Sequence, residues 1–357
     1  MAGRIPQAGV PGPVAWLLAL LSLLNLPGCQ ASETGAVPVL RAPSDSSDVS
    51  RAAFGIDSAD VAARIAFLAS DLLEGRSTPS RGLSIAAEYI ASEFATLGLA
   101  PGGDDGSFLQ WYRIETDRGA ARAPNVIGIL PGSDPALRDT HVVFSAHVDH
   151  IGIGPKDARG DSIYNGADDD ASGTAAVIEI AEAFASLPVA PRRSVVFLAV
   201  SGEENGLFGS QAFVRSGPVR ADAMIANINI DMIGRNSRDT LVVIGLHYST
   251  LGSLAIETAH AFPELGLTVV DDLWPEERFF FRSDHFNFAQ AGVPAVFFFS
   301  GVHEDYHRPS DEASRIDAEK TARIAQLAFR LGVALAERAE APSWTPAGTA
   351  AMQAAGR

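Results

Sequence analysis

Five short clusters of titratable residues carry the chemistry this sequence could do. The first is "AHVDH", which sets His147, Asp149 and His150 directly after the apolar run "VVFS". The others are "YNGADDDASG" with Asp168, Asp169 and Asp170, "SGEENG" with Glu203 and Glu204, "NIDM" with Asp231, and "HEDYH" with His303, Glu304, Asp305, Tyr306 and His307. One charged residue after an apolar run meets solvent and needs no further account. Five such clusters facing one edge would repel one another unless cations lie between them. Imidazoles with carboxylates suit zinc, or cobalt or manganese in its place, better than calcium or magnesium, which take all-oxygen shells. The carboxylates outnumber what one tetrahedral zinc needs, and a pair of zinc ions sharing a bridging carboxylate would use them. Taken alone, the triple aspartate also suits a calcium loop and His147 a core histidine, so the combination carries the zinc reading.

Strands must deliver these clusters. "NVIGIL", "HVVFSAHV", "SVVFLAV", "MIANINI", "TLVVIGL" and "AVFFFSG" are apolar on both faces and are interspersed with helical patterns such as "SADVAARIAFLASDLLEG", "GLSIAAEYIASEFATLGL" and "SGTAAVIEIAEAFASL". Further helices are expected near 251–261 and over about 317–340, and Ser58 is placed to cap the first. The pattern predicts an α/β fold, a mostly parallel mixed sheet with helices on both faces. In such sheets ligands bind beyond the carboxyl ends of the strands, where four of the five clusters fall. The run Phe279 to Phe281 reads as core, although a pocket for an apolar side chain would look the same.

The chain has 357 residues, 47% of them hydrophobic, with 43 acidic residues against 27 basic ones and a formal charge of −16. That balance argues against nucleic acid or an anionic membrane surface as partner. The start, with Arg4 ahead of "VAWLLALLSLL", reads as a secretory signal too short to span a bilayer comfortably. In "LPGC" the residues Leu26 and Gly28 before Cys29 fit a lipoprotein cleavage box, with Pro27 unusual in it, and an ordinary signal peptide cut nearby is the alternative. Cys29 is the single cysteine, so no internal disulfide forms. The expected layout is a signal over 1–28, a flexible tether over 29–57, one domain over 58–340 and a disordered tail over 341–357.

The order "AHVDH", "NGADDDASG", "SGEENGLFGS", "NIDMIG", "RSDHFNF" and "YHRPSDE", with "LEGR" and "AAEYIASEF" upstream, resembles the co-catalytic di-zinc metallopeptidases that include bacterial leucyl aminopeptidases and glutamate carboxypeptidase. The resemblance implies the phosphorylase/hydrolase-like fold of zinc exopeptidases, two zinc ions per chain and a peptide substrate. It further implies His147, Asp169, Glu204, Asp231 and His307 as ligands, with Asp169 bridging, and Glu203 as general base. Asp149 is expected to accept from the free ring nitrogen of His147, and Tyr306 to donate to an oxyanion. Arg308 stands where the family often has threonine. His150, His303 and Asp305 read as loop hydrogen bonders, while Asp284 and His285 match a motif without an assignable role. A glutaminyl-cyclase-like enzyme with one zinc and a non-catalytic ectodomain of the same fold are the competing readings.

Overall fold

The computed structural model describes residues 47–116 and 119–355. The expected signal, Cys29 and most of the tether lie outside the described residues. The strands are β1 (Ala100–Pro101), β2 (Leu109–Thr116), β3 (Gly119–Leu130), β4 (His141–His147), β5 (Gly152–Ile153), β6 (Ile163–Tyr164), β7 (Ser194–Val200), β8 (Met224–Ile230), β9 (Thr240–Ile244), β10 (Thr268–Val270) and β11 (Ala295–Phe299). The helices are α1 (Ser47–Gly55), α2 (Ser58–Leu68), α3 (Arg81–Thr96), α4 (Gly173–Ala185), α5 (Phe208–Ser216), α6 (Thr250–Ala261), α7 (His285–Gln290), α8 (Ala318–Glu337) and α9 (Pro346–Ala355).

One mixed sheet runs in the order β1-β3-β7-β4-β8-β11-β9-β10, with β2 on β3, while β5 and β6 pair apart from it. Its centre is parallel, because β4 pairs β7 and β8 in parallel and β8 pairs β11 likewise. Antiparallel pairings flank that centre through β3 on one side and β9 on the other. Alternate residues of each central strand face opposite layers: Val195, Phe197 and Ala199 of β7 join the cluster that includes α2, α3, α4 and α8, and Val196, Leu198 and Val200 join the one that includes Phe213 and Phe288. Burial on both faces explains why these strands are apolar throughout, without the two-residue alternation of a half-exposed sheet.

Two boundaries differ from the sequence expectation. The domain begins before Ser58, since α1 buries Ala52 and Ala53, and the cap of α2 is Asp57, whose carboxylate accepts from the amides of Ala59 and Asp60. The tail is not disordered over its described part. Trp344 donates its ring N–H to the carbonyl of Gly292 and bridges Ser249, and α9 follows with Gly348 buried. Trp344, together with Thr345, which donates to the carbonyls of His247 at 2.7 Å and Tyr248 at 2.9 Å, holds a segment whose own composition would not order it.

Candidate metal centre

Parallel β4, β7, β8 and β11 end on the same edge and bring the clusters together. His147 is the last residue of β4, Glu203 and Glu204 follow β7, Asp231 follows β8, and His303 to His307 lie in the loop after β11. The triple aspartate occupies the irregular turn Ala167–Ser172 that leads into α4. Asp169 lies at the centre. Its Oδ1 is 3.1 Å from His147 Nε2, which is also 3.6 Å from Asp231 Oδ1. Its Oδ2 is 3.1 Å from His307 Nε2, which is 3.3 Å from Glu204 Oε2. The five expected ligands thus form two sets of three that share Asp169.

Those separations fit zinc. Ligand bonds of about 2.0 Å in a tetrahedron put neighbouring donor atoms ~3.3 Å apart. Without a cation the same cluster sets the carboxylates of Asp169, Glu204 and Asp231 close together against only two ligand imidazoles, a donor set that a cation would balance. Asp170 also approaches His147 and Asp231. Its oxygens, however, accept from the amides of His147 at 3.1 Å, Gly173 at 2.8 Å and Met232 at 3.1 Å, so it serves the backbone. The neighbouring charges act on protonation as expected: burial would raise Asp169, yet the charge of His150 and hydrogen bonds from His147 and His307 hold it well below the usual range. Burial lowers His147, and the Asp231 and Asp169 carboxylates overcome that and raise it well above its ordinary value.

Glu203 stands beside the paired sets and lines the same cavity, of about 410 Å³, as Asp169, Glu204, Asp231 and His307. Burial pushes its carboxyl well above the usual range; the His147 charge opposes this, and Asp284 reinforces it. Tyr306 also lines the cavity, its ring stacked on that of His307 with centroids 3.8 Å apart. Asp149 corrects an expectation. The ring nitrogen Nδ1 of His147 lies 3.1 Å from the backbone carbonyl of Asp149 and 3.8 Å from its carboxylate. The carboxylate is taken up elsewhere, accepting from the Thr78 hydroxyl at 2.9 Å and from the amide of Glu203 at 3.3 Å. Asp149 therefore orients His147 through its main chain and the Glu203 loop through its side chain.

Other residues behind the site were not singled out in the sequence. Arg76 of "LEGR" is fully buried and donates to the carbonyls of Val148 at 2.7 Å, Asn165 at 2.7 Å and Gly166 at 3.0 Å, tying the His147 loop to the aspartate turn. Asp311 accepts from the amides of Asp168 at 3.0 Å and Asp169 at 3.1 Å. A buried chain of donors runs from Asn227 to Ser145, Asn229 and Ser283 and ends on Asp231 Oδ2, which Ser283 reaches at 2.7 Å. His150, expected as a loop hydrogen bonder, is buried beside a ligand, with Nδ1 2.8 Å from Glu204 Oε1. His303 contacts Asp168 at 3.2 Å, and Asp305 pairs with Arg235 at 2.9 Å. His285 is a core residue packed between Phe280 and Phe297, while Asp284 is buried behind the site, its carboxyl pushed up to about 7 by burial. The phenylalanine run divides: Phe279 and Phe281 line the cavity, and Phe280 packs against Tyr248.

Among solved structures the chain is similar to the LapA aminopeptidase of Legionella pneumophila, with TM-score 0.64 and 21% identity over 82% of this chain and 75% of that one. It is also similar to BSAP, a zinc aminopeptidase from Bacillus subtilis, with TM-score 0.61 and 15% identity over 80% and 97%. At those identities the likeness is one of fold. A "Probable zinc metalloprotease" of Pyrenophora teres is 30% identical over 173 residues, 47% of this chain and 36% of that protein. Leupeptin-inactivating enzyme 1 of Streptomyces exfoliatus is 30% identical over 213 residues, 59% of this chain and 43% of that protein. The matched stretches thus span less than half the length of either relative. The model of peptidase family M28 matches residues 125–332, a stretch that runs from β3 into α8, holds every residue of the two ligand sets and makes up more than half of the sequence. The chain belongs to peptidase family M28.

Proposed function

We propose that the chain is a zinc-dependent exopeptidase that removes residues from the amino ends of peptides. The observation that carries this reading is the pair of three-residue sets sharing Asp169, with Glu203 beside them in a cavity that also has apolar walls. His147 and Asp231 would hold one zinc, His307 and Glu204 the other, and Asp169 both. When bound, the two ions supply Lewis acidity toward a carbonyl oxygen and acidify water. Glu203 takes the proton from the attacking water and returns it to the departing nitrogen, and its burial gives a carboxyl of raised proton affinity suited to both transfers. Asp149 holds the Glu203 loop through the amide contact, and the Tyr306 hydroxyl is the proposed donor to the oxyanion.

Zinc analysis of protein purified without chelator, beside hydrolysis of leucyl-p-nitroanilide and its N-acetyl derivative, tests the reading. Two zincs per chain and cleavage of the free-amino substrate alone are expected. One zinc at saturation with pyroglutamate formation would favour the cyclase-like reading, and full zinc loading without turnover the non-catalytic one. Glu203→Gln should keep both ions and lose about 10²- to 10⁴-fold in kcat, whereas Glu204→Gln should lose metal first. Retained activity in metal-loaded Glu203→Gln would sink the mechanism.

The same proposal places the enzyme outside the bacterial cytoplasm, held by lipid on Cys29, because "LPGC" follows an apolar signal core. A lipoprotein cysteine carries the two or more chains a stable anchor needs. Mass spectrometry of the mature amino terminus should find acylated Cys29; an unmodified terminus elsewhere would leave an unanchored exported enzyme.

A further inference from the structure

We propose that Arg282 forms a carboxylate-binding subsite at the mouth of the cavity, which makes the site selective for short peptides carrying an anionic group one residue beyond the scissile bond. The inference rests on the peptidase reading for the orientation of the substrate. Among the described residues lining the cavity, Asp169, Glu203, Glu204 and Asp231 are carboxylates, and Arg282 is the one guanidinium or ammonium group. The remainder is largely apolar, with Phe279, Phe281, Phe297, Phe299 and Met232. A substrate whose amino end meets the carboxylates and metals, and whose first side chain enters the aromatic wall, directs its chain outward. Each residue advances about 3.5 Å, so a charge one residue further on comes to the rim of a cavity of about 410 Å³, small for a ligand site.

The guanidinium is placed to receive it. Its carbon sits 4.8 Å from the centre of the Phe279 ring, which fixes one face of the plane against the cavity wall. Arg282 also directly precedes Ser283, the residue that holds Asp231 at 2.7 Å, so its main chain is pinned to the metal centre. The present partners of Nη1 are Glu277 Oε2 at 3.0 Å and, more loosely, the Glu277 carbonyl at 3.4 Å, with side chains 44% and 60% exposed. An ion pair that open to water is worth little and yields readily to a better acceptor. A carboxylate entering from the cavity side would meet the planar fork of donors that an arginine offers and a lysine does not.

Two sources share this chemistry: the terminal carboxylate of a dipeptide, and the acidic side chain of a second residue in a longer substrate. Binding of Leu-Gly, Leu-Gly amide and Leu-Asp amide to the zinc-loaded Glu203→Gln chain, followed by calorimetry, separates them without turnover. Leu-Gly should bind on the order of tenfold to a hundredfold tighter than its amide, as for a hydrogen bond to a charged group. Leu-Asp amide recovers the gain only if a side-chain carboxylate reaches the same fork. Arg282→Gln in that background should abolish the gap, and Arg282→Lys should restore part of it through charge alone. Equal affinity of Leu-Gly and its amide, or a gap that survives Arg282→Gln, overturns the proposal. Hydrolysis by the unaltered chain is read separately, so a failed peptidase reading shows as absent turnover while the binding gap still reports on Arg282.

Discussion

At the scale of single residues, His147, Asp231 and Glu204 each meet a second group that fixes them, the Asp149 carbonyl, Ser283 and His150, and His150 is the one the sequence does not reveal. A second histidine two or three positions after the first has no spacing that separates a loop hydrogen bonder from a partner of a ligand. The fold decides, because His150 is buried and sits 2.8 Å from Glu204 Oε1, edge-on to the His307 ring at 5.7 Å. A residue so placed limits the swing of the Glu204 carboxylate while Oε2 faces His307. Partners of this kind are worth roughly 10- to 100-fold in metal affinity. His150→Phe keeps an aromatic ring while removing its nitrogens and should weaken the zinc held by His307 and Glu204 by about that factor, leaving the zinc at His147 and Asp231 in place. Chelator competition on the purified variant reads the two affinities. Unchanged affinity at both, or equal loss at both, would show that His150 only fills space.

At the scale of elements, what is legible depends on whether the signal is local. The central strands are legible because burial on both faces leaves an unbroken apolar run, and four of the five clusters are legible because each begins where such a run stops. The chain Asn227, Ser145, Asn229, Ser283, Asp231 is not. It requires Ser145 of β4 to lie opposite Asn229 of β8, a register that no strand states by itself. In sequence these residues show only as single polar letters inside "VVFSAH" and "MIANINI". The boundary errors have the same origin. The first turn of α1 is serine- and aspartate-rich and α9 is built of small residues, so neither advertises an apolar stripe; the burial of Ala52 and the Trp344 bond to Gly292 order them from outside. In sequence the triple aspartate signals a metal loop, but its division of labour appears only with the turn in place. Asp169 faces the ligands, Asp170 serves three amides, and Asp168 accepts from Gly234 at 2.6 Å.

At the scale of the molecule, gathering so many acids at one sheet edge makes stability depend on protons when metal is absent. Burial raises Asp284 from 3.8 to about 7 and Asp311 from 3.8 to about 6. Burial opposes protonation of His307, but its contacts to Asp169 and Glu204 raise it from 6.5 to about 10. Each of these groups holds its proton more tightly folded than unfolded. Their contribution is therefore full below the unfolded value and is lost as pH rises through the folded one. Asp169 and Glu204 are lowered instead, and what they contribute is lost only on the acid side, below about 4.5. Lys320, lowered by burial to about 8, acts in the opposite direction only above that pH. Burial also lowers His285 from 6.5 to about 3 and lowers His141 as well, so these two oppose the trend below about pH 6.5 and the raised groups must outweigh them. Between pH 5 and 8 the metal-free chain should thus lose stability steadily. Zinc reverses the dependence, because it binds deprotonated imidazole and carboxylate and stabilises the folded state in proportion to the logarithm of its occupancy. Thermal melts of chelated and zinc-saturated protein at pH 5, 6, 7 and 8 should show the first curve falling and the gap between the two widening with pH. A chelated protein whose melting temperature is flat or rises over that range, or a gap that narrows, would mean that these carboxylates and His307 do not hold their protons as the folded cluster requires.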